Sequence, residues 1–153
     1  LLDRHPNLHL DTSAAKWMLR EVSKHTVDEL RAFLNRFRGR ILFGSDIVTM
    51  DQHLEPSDPG VQRFGIHQST SEAEAFDLYA SRYWSLRTMW ETTYEGPSPI
   101  ADPDLMMIEP ERYNELSSPP IRGFSLSEEE LISLYHQSCV DVVERWYLGH
   151  GSR

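Results

Sequence analysis

The segment that most constrains the fold covers residues 40–46 and reads Arg-Ile-Leu-Phe-Gly-Ser-Asp. Its apolar centre shows no polar alternation, which is typical of a parallel strand covered on both faces. An earlier segment, residues 8–13, alternates apolar and polar side chains and then meets small residues, which indicates a short strand followed by a loop. Because helical patterns fill the interval between them, the sequence predicts a βαβ unit with two parallel strands.

The connection between these strands is predicted to contain two helices. Residues 14–25 form the first, and Thr26 and Glu29 supply a capping box that starts the second. Arg38, followed by Gly39, suits the end of that second helix, where a cation and a residue in the left-handed conformation are favoured. Its apolar face is predicted to consist of Val27, Leu30, Phe33, Leu34 and Phe37.

Two more capping boxes, beginning at Ser71 and Ser127, predict two later helices. On the first, an aromatic-rich stripe follows one face, and we interpret it as core packing rather than a cofactor site: Phe76, Tyr79, Ala80, Tyr83, Trp84, Arg87 and Trp90. On the final helix the predicted buried face is Leu131, Tyr135, Cys139, Val142 and Trp146.

The stretch between these helices, residues 93–126, holds six of the nine prolines and no sustained period. We interpret it as a Pro-rich insertion or lid within one partial domain that covers residues 1–153. The sequence begins at Leu1 with what reads as the end of a helix, so we expect the chain to begin inside a domain.

Charge and cysteine content limit the choice of partners and compartment. The chain has 15 basic and 24 acidic residues and a net charge of -9, which repels phosphate backbones and anionic lipids. Nucleic acid and membranes are therefore not expected as partners, and no apolar run is long enough to span a bilayer. With Cys139 as the single cysteine, a reducing, cytoplasmic setting is the expectation.

Candidate functional residues lie where the two predicted strands end. In parallel α/β folds the loops at the carboxyl ends of the strands converge, and functional groups gather there. Asp46 directly follows the apolar strand, so we expect it to be partly desolvated and to need a cation, a donor or a proton. An aspartate that caps the following turn is equally compatible with the spacing. Asp11, by the same strand-end argument, and His53, in the loop after Asp46, are candidate substrate-binding residues.

The sequence resembles a known family in two places. The residues Leu-Asp-Arg-His-Pro-Asn-Leu-His-Leu-Asp-Thr-Ser at 2–13 and Ile-Leu-Phe-Gly-Ser-Asp at 41–46 are similar to the seventh and eighth strand regions of amidohydrolase-related enzymes. Leu-Tyr-His at 134–136 resembles the segment that closes such barrels. The resemblance implies a C-terminal fragment of a (β/α)8 TIM-type barrel, predominantly helical with two short parallel strands. Residues 51–70 and 93–126 would be insertions.

This resemblance also implies a function. Asp46 would be the strand-eight aspartate, which contacts a divalent metal, zinc or manganese, and moves a proton between the attacking water and the leaving group. The parent protein would hydrolyse a lactone, amide or related bond of a small-molecule substrate. No His-x-His pair occurs in the sequence, so we expect further ligands upstream of Leu1 and an inactive isolated chain. The expected partner is the missing N-terminal half of the barrel, or a second copy of the chain.

Two alternatives stay open. Relatives within the same family include metal-dependent decarboxylases, and the strand-end aspartate would serve either reaction. The chain could also be a non-catalytic helical binding module that shares the sequence pattern without the chemistry. The residues by themselves do not name the substrate.

Overall fold

The computed structural model describes residues 1–47, 71–114 and 116–150, which form a mostly helical α/β protein. Strand β1 (Leu10–Asp11) pairs in parallel with β2 (Ile41–Leu42), and Leu10 lies opposite Ile41. The prediction of two short parallel strands is therefore confirmed, although each strand is shorter than its sequence pattern. Their assignment to a barrel stays a prediction.

Helices α1 (Ala15–Val22) and α2 (Val27–Arg36) connect the two parallel strands. The predicted capping box is present at the start of α2, where the Thr26 hydroxyl accepts a hydrogen bond from the Glu29 amide and the Glu29 carboxylate accepts one from the Thr26 amide. Gly39 follows α2 with a φ of 78°, a left-handed conformation that glycine adopts without steric cost. The chain then turns directly into β2.

Helix α3 (Glu72–Glu91) begins after Ser71, whose hydroxyl accepts a hydrogen bond from the Glu74 amide. The prediction that its aromatic stripe packs in the core is wrong for most of the stripe. Phe76 is 70% exposed and Trp84 is 47% exposed, and of the stripe only Trp90 is buried. The buried face instead carries smaller and aliphatic residues beside Trp90: Ala75, Ser85, Leu86, Thr88 and Met89.

The Pro-rich region contains regular structure. Strand β3 (Glu95–Pro97) pairs antiparallel with β4 (Pro120–Arg122), and the short helix α4 (Asp104–Ile108) lies between them in the sequence. Phe124, two residues after β4, is fully buried, and its ring centroid is 6.3 Å from that of Trp90. This region thus contributes to the core, and its action as a lid stays a prediction.

The C-terminal helix starts with α5 (Glu128–Ile132), continues through wide π-helical turns at Ser133–Gln137 and Val140–Glu144, and ends with α6 (Arg145–His150). The predicted capping box of Ser127 and Glu130 is present. The prediction that Cys139 and Trp146 are buried is wrong, since both are exposed. Each π turn accommodates an extra residue, so the buried face rotates away from 3.6-residue spacing.

One core joins these elements, with buried aliphatic and aromatic side chains contributed by α1, α2, β2, α3, β4 and the C-terminal helix. An ion pair lies inside it: the Arg20 guanidinium of α1, 6% exposed, is 2.7 Å from the Asp102 carboxylate, 0% exposed. None of the helices in the described part of the chain is long and apolar enough to cross a membrane.

Candidate functional site at the carboxyl edge of the parallel sheet

The two parallel strands are held together at their carboxyl ends by a side chain. The Thr12 hydroxyl donates a hydrogen bond to the Gly44 carbonyl oxygen and accepts one from the Gly44 amide, each at 2.9 Å. In the sheet itself, the Thr12 amide donates to the Leu42 carbonyl at 3.0 Å. The loops that follow β1 and β2 therefore leave the sheet side by side.

Asp11 lies at this edge in a tight local turn. Its carboxylate accepts a hydrogen bond from the Ser13 amide at 2.8 Å, and hydrogen bonds from the Ser13 side chain and backbone lower the pKa of Asp11. Gly44 lies against the same turn: a Cβ at residue 44 would be 2.5 Å from Ser13 Oγ and 3.2 Å from Asp11 Oδ1. A side chain at residue 44 would therefore require the Ser13 hydroxyl to move.

Asp46 follows two residues after Gly44. Its φ is 50°, a left-handed conformation that aspartate tolerates better than most side chains. The expectation that Asp46 is partly desolvated is wrong, because the residue is exposed. Strand β2 ends at Leu42, four residues before Asp46.

A cation from another element stands near Asp46. Arg82, half-buried on α3, has a pKa lowered by burial, and the negative charge of Asp46 opposes that lowering. Sequence reasoning missed Arg82, because no local pattern links a residue in the middle of α3 to the end of β2. Ser13 was also missed, although its position two residues after an aspartate is the spacing of an Asx turn.

Strand β2 is anchored from its other side by the C-terminal helix. The Phe43 amide donates to the Leu134 carbonyl at 3.2 Å, and the Phe43 ring packs edge-on against Tyr135 with centroids 4.8 Å apart. The Tyr135 hydroxyl donates to Glu91 Oε1 at 3.1 Å, and Arg87 donates two hydrogen bonds to the same carboxylate. Burial raises the pKa of Tyr135, so this hydroxyl remains a donor.

Of the three predicted site residues, Asp11 is the last residue of β1 and Asp46 comes four residues after β2, at the same edge of the sheet. His53 lies outside the described residues. Within the described ranges, no group of three or more His, Cys, Asp or Glu side chains could hold a metal ion. Since a protein metal site takes three or four such ligands, Asp11 and Asp46 do not by themselves fit a divalent metal.

A comparison with models of known families finds none that matches the chain, and comparisons with curated proteins and with solved structures find no similar protein.

Proposed function

We propose that this chain is the C-terminal part of a metal-dependent hydrolase of the amidohydrolase-related type, in which Asp46 accepts and returns a proton. The main support is the position of Asp11 at the end of β1 and of Asp46 after the neighbouring parallel strand β2. In parallel α/β enzymes, catalytic side chains occupy this edge because the loops there converge while the opposite edge is structural.

Each residue at the edge has a defined task in this proposal. The exposed carboxylate of Asp46 takes a proton from the water that attacks the substrate and passes it to the leaving group. Asp11, whose orientation is set by the Ser13 amide, accepts a hydrogen bond from the substrate. Arg82 supplies positive charge beside Asp46, where negative charge develops on the attacked group. The metal that the family resemblance implies would take its ligands largely from outside the described residues.

The proposal is tested in the enzyme that carries this chain, assayed against a panel of lactones and amides. Asp46→Asn keeps the size of the side chain and removes the proton acceptor, so we expect kcat to fall by roughly 10²-fold or more. The melting temperature should change little, since Asp46 is exposed. Asp3→Asn is the matched control, because Asp3 is also an exposed aspartate near an arginine, at 2.9 Å from Arg36.

A second substitution separates catalysis from turn formation. Asp46→Gly retains the left-handed backbone but has no carboxylate. If Asp46 only shapes the turn, Asp46→Gly should keep normal turnover. That result would contradict the proposed catalytic role of Asp46. If Asp46 moves the proton, Asp46→Gly and Asp46→Asn should both be slow while remaining folded.

A further inference from the structure

An open groove of about 930 Å³ lies between α3 and residues 97–99, at the end of β3. Its volume is within the range of ligand-binding clefts and exceeds that of a single amino-acid side chain. The groove is lined by side chains from one face of α3 and by a short Pro-Ser-Pro wall: Glu74, Asp77, Leu78, Ala80, Ser81, Trp84, Pro97, Ser98 and Pro99.

Trp84 presents an aromatic surface in this groove and is held in place from behind. Its ring packs edge-on against Tyr94 with centroids 5.6 Å apart. The Tyr94 hydroxyl donates to the Pro97 carbonyl at 3.1 Å, and a Cβ at Gly96 would be 2.5 Å from the Tyr94 hydroxyl oxygen. The ring of Tyr94 therefore lies over Gly96, and the indole of Trp84 that packs against it is half-exposed.

The charged side chains that line the groove in the described part of the chain have one sign. Among the described residues that line it, Glu74 and Asp77 carry carboxylates and none is a Lys, Arg or His. Asp77 makes no ion pair within the described part of the chain, and it is exposed. A cation seated there would meet an aromatic face and a carboxylate together, and both attract positive charge. An anion would be repelled, which the net charge of -9 reinforces.

We propose that the groove between α3 and residues 97–99 binds an extended, cationic peptide segment, with a Lys or Arg side chain seated between the Trp84 indole and the Asp77 carboxylate. Pro97 and Pro99 give the opposite wall a rigid backbone that needs little ordering on binding. Grooves lined by aromatic side chains bind extended Pro-containing peptides, whose backbone is already ordered. This site is independent of the chemistry proposed for Asp46.

The test uses the full chain and two synthetic peptides, acetyl-Arg-Pro-Pro-Arg-amide and its Glu-Pro-Pro-Glu counterpart. The chain has four tryptophans, so its nitrogen–proton correlation spectrum has four indole signals, and Trp84→Leu identifies one of them. We expect the Arg peptide to shift the Trp84 signal in a saturable way and the Glu peptide to leave it unchanged. Higher salt should weaken the binding.

Matched variants on the same helix identify the contacts. Trp84→Leu and Asp77→Asn should each lower the affinity for the Arg peptide by roughly two- to fivefold, which is the scale of exposed cation–aromatic contacts and ion pairs. Phe76→Leu and Glu72→Gln remove an exposed aromatic ring and an exposed carboxylate of α3 that do not line the groove, and should bind normally. Equal binding of the Glu peptide, normal binding by Asp77→Asn, or binding of arginine amide as tight as that of the peptide would overturn the proposal.

Discussion

Thr12 and Gly44 are 32 residues apart in the sequence, and a single hydroxyl group joins them through two hydrogen bonds of 2.9 Å. The Thr12 hydroxyl donates to the Gly44 carbonyl and accepts from the Gly44 amide. It thus replaces the backbone–backbone hydrogen bonds that would continue the sheet beyond the two-residue strands. Thr12 is 2% exposed, and water therefore cannot easily replace it. The proposed site at this edge depends on the pair.

Thr12→Val should destabilise the protein by about 1–3 kcal/mol, because the valine keeps the shape but leaves both Gly44 backbone groups without their partner. Urea denaturation of the two proteins measures the difference. Thr12→Ser retains the hydroxyl and should recover most of the loss, and Thr93→Val makes the same change at an exposed position. If Thr12→Val and Thr93→Val had equal free energies of unfolding, the hydroxyl would not hold the edge.

The buried ion pair between Arg20 and Asp102 should be costly to break from one side. Asp102→Ala removes the 2.7 Å partner of the Arg20 guanidinium, which is 6% exposed, and leaves Arg20 paired with Glu21 at 3.1 Å, so we expect a loss at the lower end of about 3–5 kcal/mol. Asp104 lies farther from Arg20, at 3.9 Å, and is half-exposed. Asp104→Asn should therefore cost less than about 1 kcal/mol.

A double variant tests the reason for that cost. Arg20→Met combined with Asp102→Leu removes both charges and fills the space with apolar atoms, so its stability should be well above that of Asp102→Ala. Chemical denaturation of the single and double variants gives the comparison. A double variant less stable than Asp102→Ala would show that lost packing, and not an unpaired charge, dominates.

Stability should decrease in acid partly through Glu91. Hydrogen bonds from Arg87, followed by one from Tyr135, lower the pKa of Glu91 below its ordinary value of 4.5. Since the folded pKa is the lower one, the contribution of Glu91 is fully present above about pH 4.5 and is lost as the pH falls through the folded pKa. Glu91→Gln should flatten the fall in unfolding free energy below pH 4.5.

The measurement is denaturant unfolding at a series of pH values from 7 to 3. Glu72→Gln removes one carboxylate from the exposed first turn of the same helix and serves as the control. If the unfolding free energy fell equally steeply with decreasing pH in wild type and Glu91→Gln, the Arg87–Glu91–Tyr135 contacts would not contribute to folding.

Gly123 should not tolerate alanine. A Cβ there would overlap the Thr92 carbonyl oxygen and lie 2.7 Å from the Tyr94 amide nitrogen, both of which are backbone atoms that cannot rotate away. We expect Gly123→Ala to destabilise the protein by roughly 3 kcal/mol through this overpacking. Gly149→Ala, where nothing lies within 4 Å of the added carbon, should fold normally in the same thermal melt. Equal melting temperatures would contradict the close approach.

Local interactions explain which structural features could be predicted from the sequence. The helix starts at Thr26 and Ser127 depend on hydrogen bonds between residues three apart, so the residue types at those positions are sufficient. The left-handed Gly39 and the strand followed by Asp46 are also visible in short segments. The parallel pairing of β1 and β2 followed from the helical connection between them.

Burial was harder to predict, because it depends on which neighbour covers a helix face. The aromatic stripe of α3 has helical spacing, yet the helix turns a side with smaller residues to the core. Leu86 and Met89 on that side are fully buried. Cys139 has the spacing of a core residue, but the π turns that precede and follow it move Ser138 into the core instead. In both helices, the spacing of apolar residues does not indicate which side faces the core.

The sequence by itself determined the helix starts, the parallel βαβ unit and the two carboxylates near the ends of its strands, since each depends on residues close together in the chain. Only the tertiary structure decided that Arg82 lies near Asp46, that Gly44 packs against Asp11 and that Arg20 meets Asp102 across 82 residues. These contacts join distant segments, and their free energy arises only when the helices pack and exclude water from between them.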